Sequence, residues 1–311
     1  MNYQDILLKL AKGNEDYIIM TAENRAAIRN ITEELGNQFL DTGITEQTLA
    51  GTAAGLALRG RKPIIHALAT FLTMRAYEFI RTDIGVADLP VKLVGCFPGF
   101  LSEANGPTHQ AVEDIALMRT IPNMHIFCPS DKDDLIKGIK DIAESNNPTY
   151  IRYNDQASHI KHKPFKIGEP EIFGTDREVT ILTYGFLFNQ AFWASDILAS
   201  KGIKCRVINL RMLNPINKNL IYQLCSDSGL IVTIEDHYKY GGLYSIIAEI
   251  FIEQNYSCPV LPIALENKWF KPLLLNDVIR HEKMHPIDIV NKIENYLLRV
   301  KNEYFTEWST V

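Results

Sequence analysis

The feature that most constrains this fold is a regular alternation of short apolar runs with helical segments. Strands are predicted at residues 17–20, 39–41, 63–67, 91–95, 125–128 and 149–153, and again in the second half at 178–183, 205–210 and 230–235. Between them, helical patterns fit residues 3–11, 46–59, 71–82, 110–119, 131–144 and 187–200. Strands that alternate with helices predict parallel sheets covered by helices, so the predicted fold class is α/β.

Length and composition indicate two globular domains. The chain has 311 residues, of which 46% are hydrophobic and 22% are charged, values typical of a folded soluble protein. Residues 156–176 interrupt the alternation with prolines, glycines and basic side chains, and they predict an exposed linker. We therefore expect domains over residues 1–155 and 177–311. His159 and His162, which have no carboxylate or thiolate close by in the sequence, are expected to be solvated.

Charge and cysteine usage narrow the class of protein further. The net charge of −5 argues against binding to nucleic acid, which needs clustered positive charge. Five scattered cysteines without metal-ligand spacing predict reduced thiols and no metal site. No apolar run is long enough to span a bilayer or to act as a secretory signal. We expect a cytoplasmic protein without a membrane partner.

The first segment that suggests chemistry is residues 38–51, a short apolar strand, a glycine turn and a helix that opens with Glu46. Thr45 is the predicted N-cap of this helix. Ligands of open α/β sheets bind beyond the carboxyl ends of the strands, where Glu46 is expected to lie. Taken alone, a first-turn glutamate can equally well do no more than complement the helix dipole.

Two later junctions between a strand and a helix have the same character. Residues 63–81 form a buried strand that leads through Phe71 into an aromatic-rich helix. Residues 106–114 form a glycine-proline loop with His109 at the start of a helix. An ordinary core position remains the alternative for Phe71. In chain order the three junctions between a strand and a helix therefore present an acid, an aromatic ring and an imidazole.

This ordered set resembles the pyrimidine-binding half of transketolases and related thiamine diphosphate enzymes. The resemblance is carried by residues 43–47 (Gly-Ile-Thr-Glu-Gln), 70–71 (Thr-Phe) and 106–110 (Gly-Pro-Thr-His-Gln). It covers essentially the whole chain, because residues 232–243 resemble the transketolase C-terminal domain. It implies a pyrimidine-binding domain followed by that C-terminal domain, each built on a parallel sheet, with thiamine diphosphate as the cofactor.

The resemblance also implies roles for individual residues. Glu46 would hydrogen-bond the aminopyrimidine ring of the cofactor and act in catalysis. Phe71 would stack on that ring, and Met74, one helical turn further on, would line the same pocket. His109 would point at the carbonyl or hydroxyl of the substrate. His66, in the strand that precedes Phe71, is assigned to substrate binding as well.

Departures from the family pattern bear on the substrate. Asn105 stands where many transketolases carry an aspartate that contacts the donor's hydroxyl. Phe97 and Ala27 stand near positions where relatives place a histidine and a serine of the phosphate site. A phosphorylated or otherwise anionic and unusual ketose is therefore expected as the sugar donor.

Arginines remain as candidate ligands for the donor's anionic group. Arg25 and Arg29 follow the first strand, and Arg152 ends the sixth, where relatives place a phosphate-binding arginine. The guanidinium fork suits phosphate, carboxylate or sulfonate.

The family's Gly-Asp-Gly motif with its following asparagine, which holds magnesium and diphosphate, is missing from this sequence. The expectation is a split transketolase in which a separately encoded subunit holds Mg²⁺ and the diphosphate, in an α2β2 heterotetramer. Two rivals remain: the β subunit of a 2-oxo acid dehydrogenase, and a catalytically silent scaffold. Residues 108–110 with the acidic pair at 113–114 fit transketolase better than the dehydrogenase.

Overall fold

Two β-sheets, each covered by helices, organise the computed structural model, which describes the backbone of residues 1–308 and the side chains of residues 1–300. The strands are β1 (Tyr17–Thr21), β2 (Phe39–Asp41), β3 (Lys62–Leu68), β4 (Lys92–Cys96), β5 (His125–Phe127), β6 (Thr149–Arg152), β7 (Glu171–Phe173), β8 (Val179–Thr183), β9 (Cys205–Asn209), β10 (Met212–Asn214), β11 (Leu230–Tyr238) and β12 (Val260–Leu265). The predicted domain over 177–311 extends beyond the described residues at its end.

Helices connect and cover these strands. They are α1 (Tyr3–Gly13), α2 (Thr32–Leu35), α3 (Glu46–Leu58), α4 (Tyr77–Phe79), α5 (Asp114–Met118), α6 (Lys132–Glu144), α7 (Leu187–Ser200), α8 (Lys218–Cys225), α9 (Leu243–Glu253), α10 (Leu275–His281) and α11 (Pro286–Trp308). The helix predicted at 71–82 is instead two π-helical turns, Phe71–Arg75 and Ile80–Gly85, on either side of α4. No helix of the described part of the chain combines the length and apolar character needed to cross a bilayer.

The strand order confirms the predicted α/β class with two sheets. The first sheet has the order β10-β5-β6-β4-β3-β1-β2 and the second β12-β11-β8-β9-β7. Pairing is parallel except at one edge of each sheet, where β10 runs antiparallel to β5 and β7 antiparallel to β9. Strand β10 comes from the second half of the chain and extends the first sheet, so the two halves are joined by backbone hydrogen bonds. Both sheets are therefore mixed at an edge rather than purely parallel.

The core explains why the central strands read as apolar runs. All five residues of β4 are buried, as expected for a strand covered by helices on both faces. Helix α3 packs on this sheet through small side chains, among them the buried Ala50, Ala53 and Ala54. Small residues allow the helix to approach the sheet closely, which brings its first turn to the carboxyl edge of the strands.

The segment predicted as an exposed linker is partly buried, and the prediction that His162 is solvated is wrong. His162 is only 3% exposed. Its Nδ1 lies 2.7 Å from a carboxylate oxygen of Glu171 and its Nε2 lies 3.0 Å from one of Asp131. Asp131 caps α6 and Glu171 begins β7, so these partners come from elements that folding brings together. Local sequence around the histidine could not reveal them.

The His162 pair of hydrogen bonds predicts a pH-dependent stability. Burial alone lowers the pKa of His162, but the bonds to Asp131 and Glu171 outweigh it and raise the pKa from 6.5 to about 9. The stabilisation is therefore fully present below pH 6.5 and is lost as the pH rises through about 9. In urea unfolding, the advantage of the wild type over His162→Gln should shrink across this range. His159→Gln, at the neighbouring exposed histidine, serves as the control, and an advantage that is independent of pH would contradict the assignment.

Candidate active site

Glu46 lies buried where α3 begins. Its side chain is almost inaccessible, with 2% of the residue exposed. Its carboxylate accepts a hydrogen bond of 2.8 Å from Nη1 of Arg75, the only side-chain bond of Glu46 among the described residues. Thr45 occupies the N-cap position but makes no side-chain cap, because its hydroxyl donates to the carbonyl of Thr42 at 2.9 Å. A buried carboxylate with one donor retains capacity for a further hydrogen bond.

Phe71 and Arg75 lie on the π-helical turn that follows β3. The guanidinium carbon of Arg75 stacks 4.2 Å from the centre of the Phe71 ring, and the Arg75 side chain is 41% exposed. Met74 is held beside them through its sulfur, which lies 3.6 Å from the Thr70 hydroxyl. Sequence reasoning missed Arg75, although its spacing of four residues from Phe71 places both on one helical face.

His109 completes the row of predicted site residues. Its imidazole meets the Phe71 ring edge to face, with 5.1 Å between the ring centres. Its Nδ1 lies 2.9 Å from the hydroxyl of Thr108, which fixes the orientation of the ring. Glu46, Arg75, Phe71 and His109 therefore form one continuous chain of contacts, although three separate stretches of sequence contribute them.

A cavity of about 420 Å³ opens beside His109. Its lining consists of Asn24, Leu68, Phe97, Leu101, Ser102, Glu103, Ala104, Asn105 and His109. The amide nitrogen of Asn105 donates to the carbonyl of Ser102 at 2.8 Å. Glu103 has a positive φ of 50°, which is uncommon for a non-glycine residue. Asn24 and Glu103 are lining residues that the sequence analysis did not single out.

An adjoining cavity of about 370 Å³ shares Asn24 and is lined also by Arg25, Arg29 and Asp41. Arg25 forms an ion pair of 2.6 Å with Asp41. Burial alone would raise the pKa of the Asp41 carboxyl, but the hydrogen bond from Arg25 helps to bring the pKa below its ordinary value. Arg29 is exposed and has no ion-pair partner among the described residues. An anion would therefore compete with Asp41 for Arg25 and meet no such competition at Arg29.

Two predicted substrate ligands, Arg152 and His66, are buried and bonded to other parts of the protein. Arg152 is 2% exposed and donates from Nε to Asp114 and from Nη1 to Asp236, each at 2.8 Å. His66 is wholly buried between the Tyr3 hydroxyl at 2.8 Å and the Met20 carbonyl at 3.1 Å, and burial lowers its pKa to about 4. In this structure the polar atoms of both residues are engaged inside the protein, and neither residue lines the two cavities.

The arrangement fits one end of the expected cofactor. Glu46 offers a buried carboxylate, and the half-buried Phe71 ring offers an aromatic face, the two features that an aminopyrimidine requires.

Elsewhere in the chain, Asp134, His162 and Glu171 place potential metal-ligand atoms within 4.8 Å of one another. In that cluster, however, His162 is bonded to Glu171, and Asp134 accepts from Ser130 and Arg211. It is an internal ion-pair cluster whose groups are already satisfied.

Comparison with known proteins identifies the family. Residues 2–159 match the transketolase pyrimidine-binding domain, and residues 168–278 match the transketolase C-terminal domain. The chain belongs to the transketolase family, as predicted from the three motifs.

Its relatives include subunits of transketolases. The chain is 30% identical to the 6-deoxy-6-sulfo-D-fructose transketolase subunit of Clostridium sp. (strain MSTE9), covering 83% of this chain and 81% of that protein. It is also 30% identical to a subunit of the apulose-4-phosphate transketolase of Phocaeicola vulgatus, and the match covers 86% of this chain and 87% of that protein. A solved structure described as a split gene transketolase, an inactive β4 tetramer, superposes with a TM-score of 0.85 at 30% identity. The superposition covers 94% of this chain and 96% of that chain. These matches confirm the two-domain fold and support a C-terminal subunit of a split transketolase.

Proposed function

We propose that this chain is the C-terminal subunit of a thiamine diphosphate-dependent transketolase. The enzyme transfers a two-carbon ketol unit from an anionic ketose to an aldose. The observation that carries the proposal is the continuous row Glu46, Arg75, Phe71 and His109 beside a cavity of about 420 Å³. Relatives named as transketolase subunits favour this activity over a 2-oxo acid dehydrogenase or a silent scaffold.

Each residue has a distinct task in this proposal. When bound, thiamine diphosphate supplies the nucleophilic carbon that attacks the sugar carbonyl. Glu46 hydrogen-bonds the pyrimidine nitrogen and fixes the tautomer of the ring, while Phe71 and Met74 hold the ring in place. His109 holds or moves a proton at the carbonyl oxygen of the sugar.

The substrate's remaining groups extend away from His109. Asn105 and Asn24 would hydrogen-bond the hydroxyl groups, a role supported by their position in the lining of the cavity beside His109. Arg25 and Arg29, which line the adjoining cavity, would bind the anionic end. Because Asn24 lines both cavities, a ketose that spans them would pass this residue.

The proposal includes a partner. A separately encoded subunit would hold the diphosphate and Mg²⁺, and two copies of each chain would form an α2β2 assembly. The description of a 30% identical split transketolase as an inactive β4 tetramer supports a dependence on the partner for activity.

Donor preference tests the proposed substrate class. On the reconstituted complex, 6-deoxy-6-sulfo-fructose or apulose 4-phosphate should be used better than xylulose 5-phosphate by about tenfold or more, the effect of one pocket hydrogen bond to a charged group. Asn105→Asp should shift the preference back towards xylulose 5-phosphate. Asn291→Asp, at an exposed asparagine of α11, is the matched control and should leave the ratio unchanged. Xylulose 5-phosphate as the best donor of the wild type would contradict the interpretation of Asn105 and Phe97.

A further inference from the structure

The loop that carries Asn105 and His109 is held by the second half of the chain. The end of β11 supplies consecutive contacts: Nε2 of His237 accepts from the Ala116 backbone N–H at 3.2 Å, and the Tyr238 N–H donates to the Val112 carbonyl at 3.0 Å. Further along, the Lys271 carbonyl accepts from the Gln110 side chain at 3.4 Å. Two of these contacts, at Gln110 and Val112, come just after His109, and the third, at Ala116, lies within α5.

Asp236 makes the strongest of these connections through Arg152. Both carboxylate oxygens of Asp236 accept from the Arg152 fork, at 2.8 and 3.1 Å, while Nε of Arg152 bonds Asp114 at 2.8 Å. Asp114 and Arg152 belong to the first half of the chain and Asp236 to the second. All three are nearly inaccessible, with exposures of 0 to 2%. Removing one member of such a buried group leaves another charge without a partner, which is costly.

The base of the loop rests directly on this ion pair. Gly99 pairs with Ala111 through a backbone hydrogen bond of 2.9 Å, which closes the loop between them. Arg152 also reaches the Ala111 carbonyl, at 3.5 Å. Gly99 has φ of +55°, and a Cβ atom there would lie 1.7 Å from Oδ2 of Asp236. The glycine is therefore required by the approach of the carboxylate as well as by its backbone conformation.

We propose that Asp236 is a positioning residue for the substrate loop. The loop, residues 97–111, contains 3₁₀-helical turns over Phe100–Asn105 that are kinked at Glu103. It has positive φ angles at Phe97, Gly99, Glu103 and Gly106, so regular secondary structure sets only part of its path. The C-terminal domain, through Asp236 and Arg152, fixes the base of that loop and with it the places of Asn105 and His109. In this role the domain helps to set the geometry of the substrate site in addition to serving in assembly.

Asp236→Asn is the test variant, because asparagine keeps the size of the side chain and removes its charge. Amide hydrogen exchange on the isolated full chain should accelerate over residues 97–111 while α3 keeps wild-type protection. In the reconstituted complex, kcat/KM for the donor should drop about tenfold to a hundredfold, through a higher KM, a lower kcat or both. The affinity for the cofactor should not change. Glu249→Gln, which breaks the exposed pair of Arg119 and Glu249 between the same two halves, is the control and should have neither effect.

Gly99→Ala provides a second variant that disturbs the contact from the side of the loop, and it should give the same pattern. Wild-type exchange over 97–111 in a folded Asp236→Asn chain, or acceleration that is equal in α3 and the loop, would overturn the proposal. The kinetic part rests on the proposed transketolase function, whereas hydrogen exchange does not. A wild-type complex without ketol transfer would therefore refute the function and leave the positioning role to be decided by the exchange result.

Discussion

Replacing Glu46 by glutamine should lower the turnover of the reconstituted enzyme by about a hundredfold to ten-thousandfold, the usual contribution of positioned acid–base catalysis. Glutamine has nearly the same volume, so the buried site stays filled. Its amide oxygen can still accept the hydrogen bond that Arg75 donates at 2.8 Å. What is lost is the carboxyl group that exchanges a proton with the pyrimidine ring. We therefore expect lost turnover with little change in thermal stability.

Glu33→Gln is the matched control for this prediction. Glu33 also lies in the first turn of a helix, α2, but it is exposed. If Glu46 only complemented the dipole of α3, the two variants would behave alike, with stability changes of about 0.3–1 kcal/mol and normal turnover. Near-normal turnover of Glu46→Gln would remove Glu46 from the catalytic role.

The fold could be predicted because it depends on local periodicity. The helix predicted at 187–200 and the strand at 39–41 have those bounds in the structure. Glu46, Phe71 and His109 were singled out for a different reason, because the three motifs that contain them resemble those of transketolases. Each residue follows a strand, and the carboxyl ends of parallel strands meet at one edge of the sheet.

What the sequence could not show are the partners that tertiary folding selects. Arg152 lies at the end of a strand, a position typical of anion ligands. Its guanidinium nevertheless donates to Asp114 and Asp236, which are 38 and 84 residues away in the sequence. His66 is in the same situation, because its partner Tyr3 is 63 residues away. The sequence alone does not show whether a polar residue of a buried strand binds a ligand or pairs with another residue inside the protein.

In the proposed enzyme, this chain supplies one half of a shared active site. Its described residues place a carboxylate, an aromatic ring and an imidazole together. The first two are proposed for the pyrimidine end of the cofactor and the imidazole for the carbonyl of the sugar. The sequence lacks the Gly-Asp-Gly motif with its asparagine for the diphosphate and metal. Each chain alone should therefore be inactive, since neither would hold the whole cofactor.

The most direct measurement is ketol transfer by this chain alone, by the diphosphate-binding subunit alone and by the two combined, each with Mg²⁺, thiamine diphosphate and a panel of anionic ketoses. We predict activity only in the combination, and its loss when Glu46→Gln replaces the wild-type chain. Omitting Mg²⁺ after treatment with a chelator should abolish it as well. Robust transfer by the isolated chain, or none by a stable assembled complex with any ketose of the panel, would contradict the account.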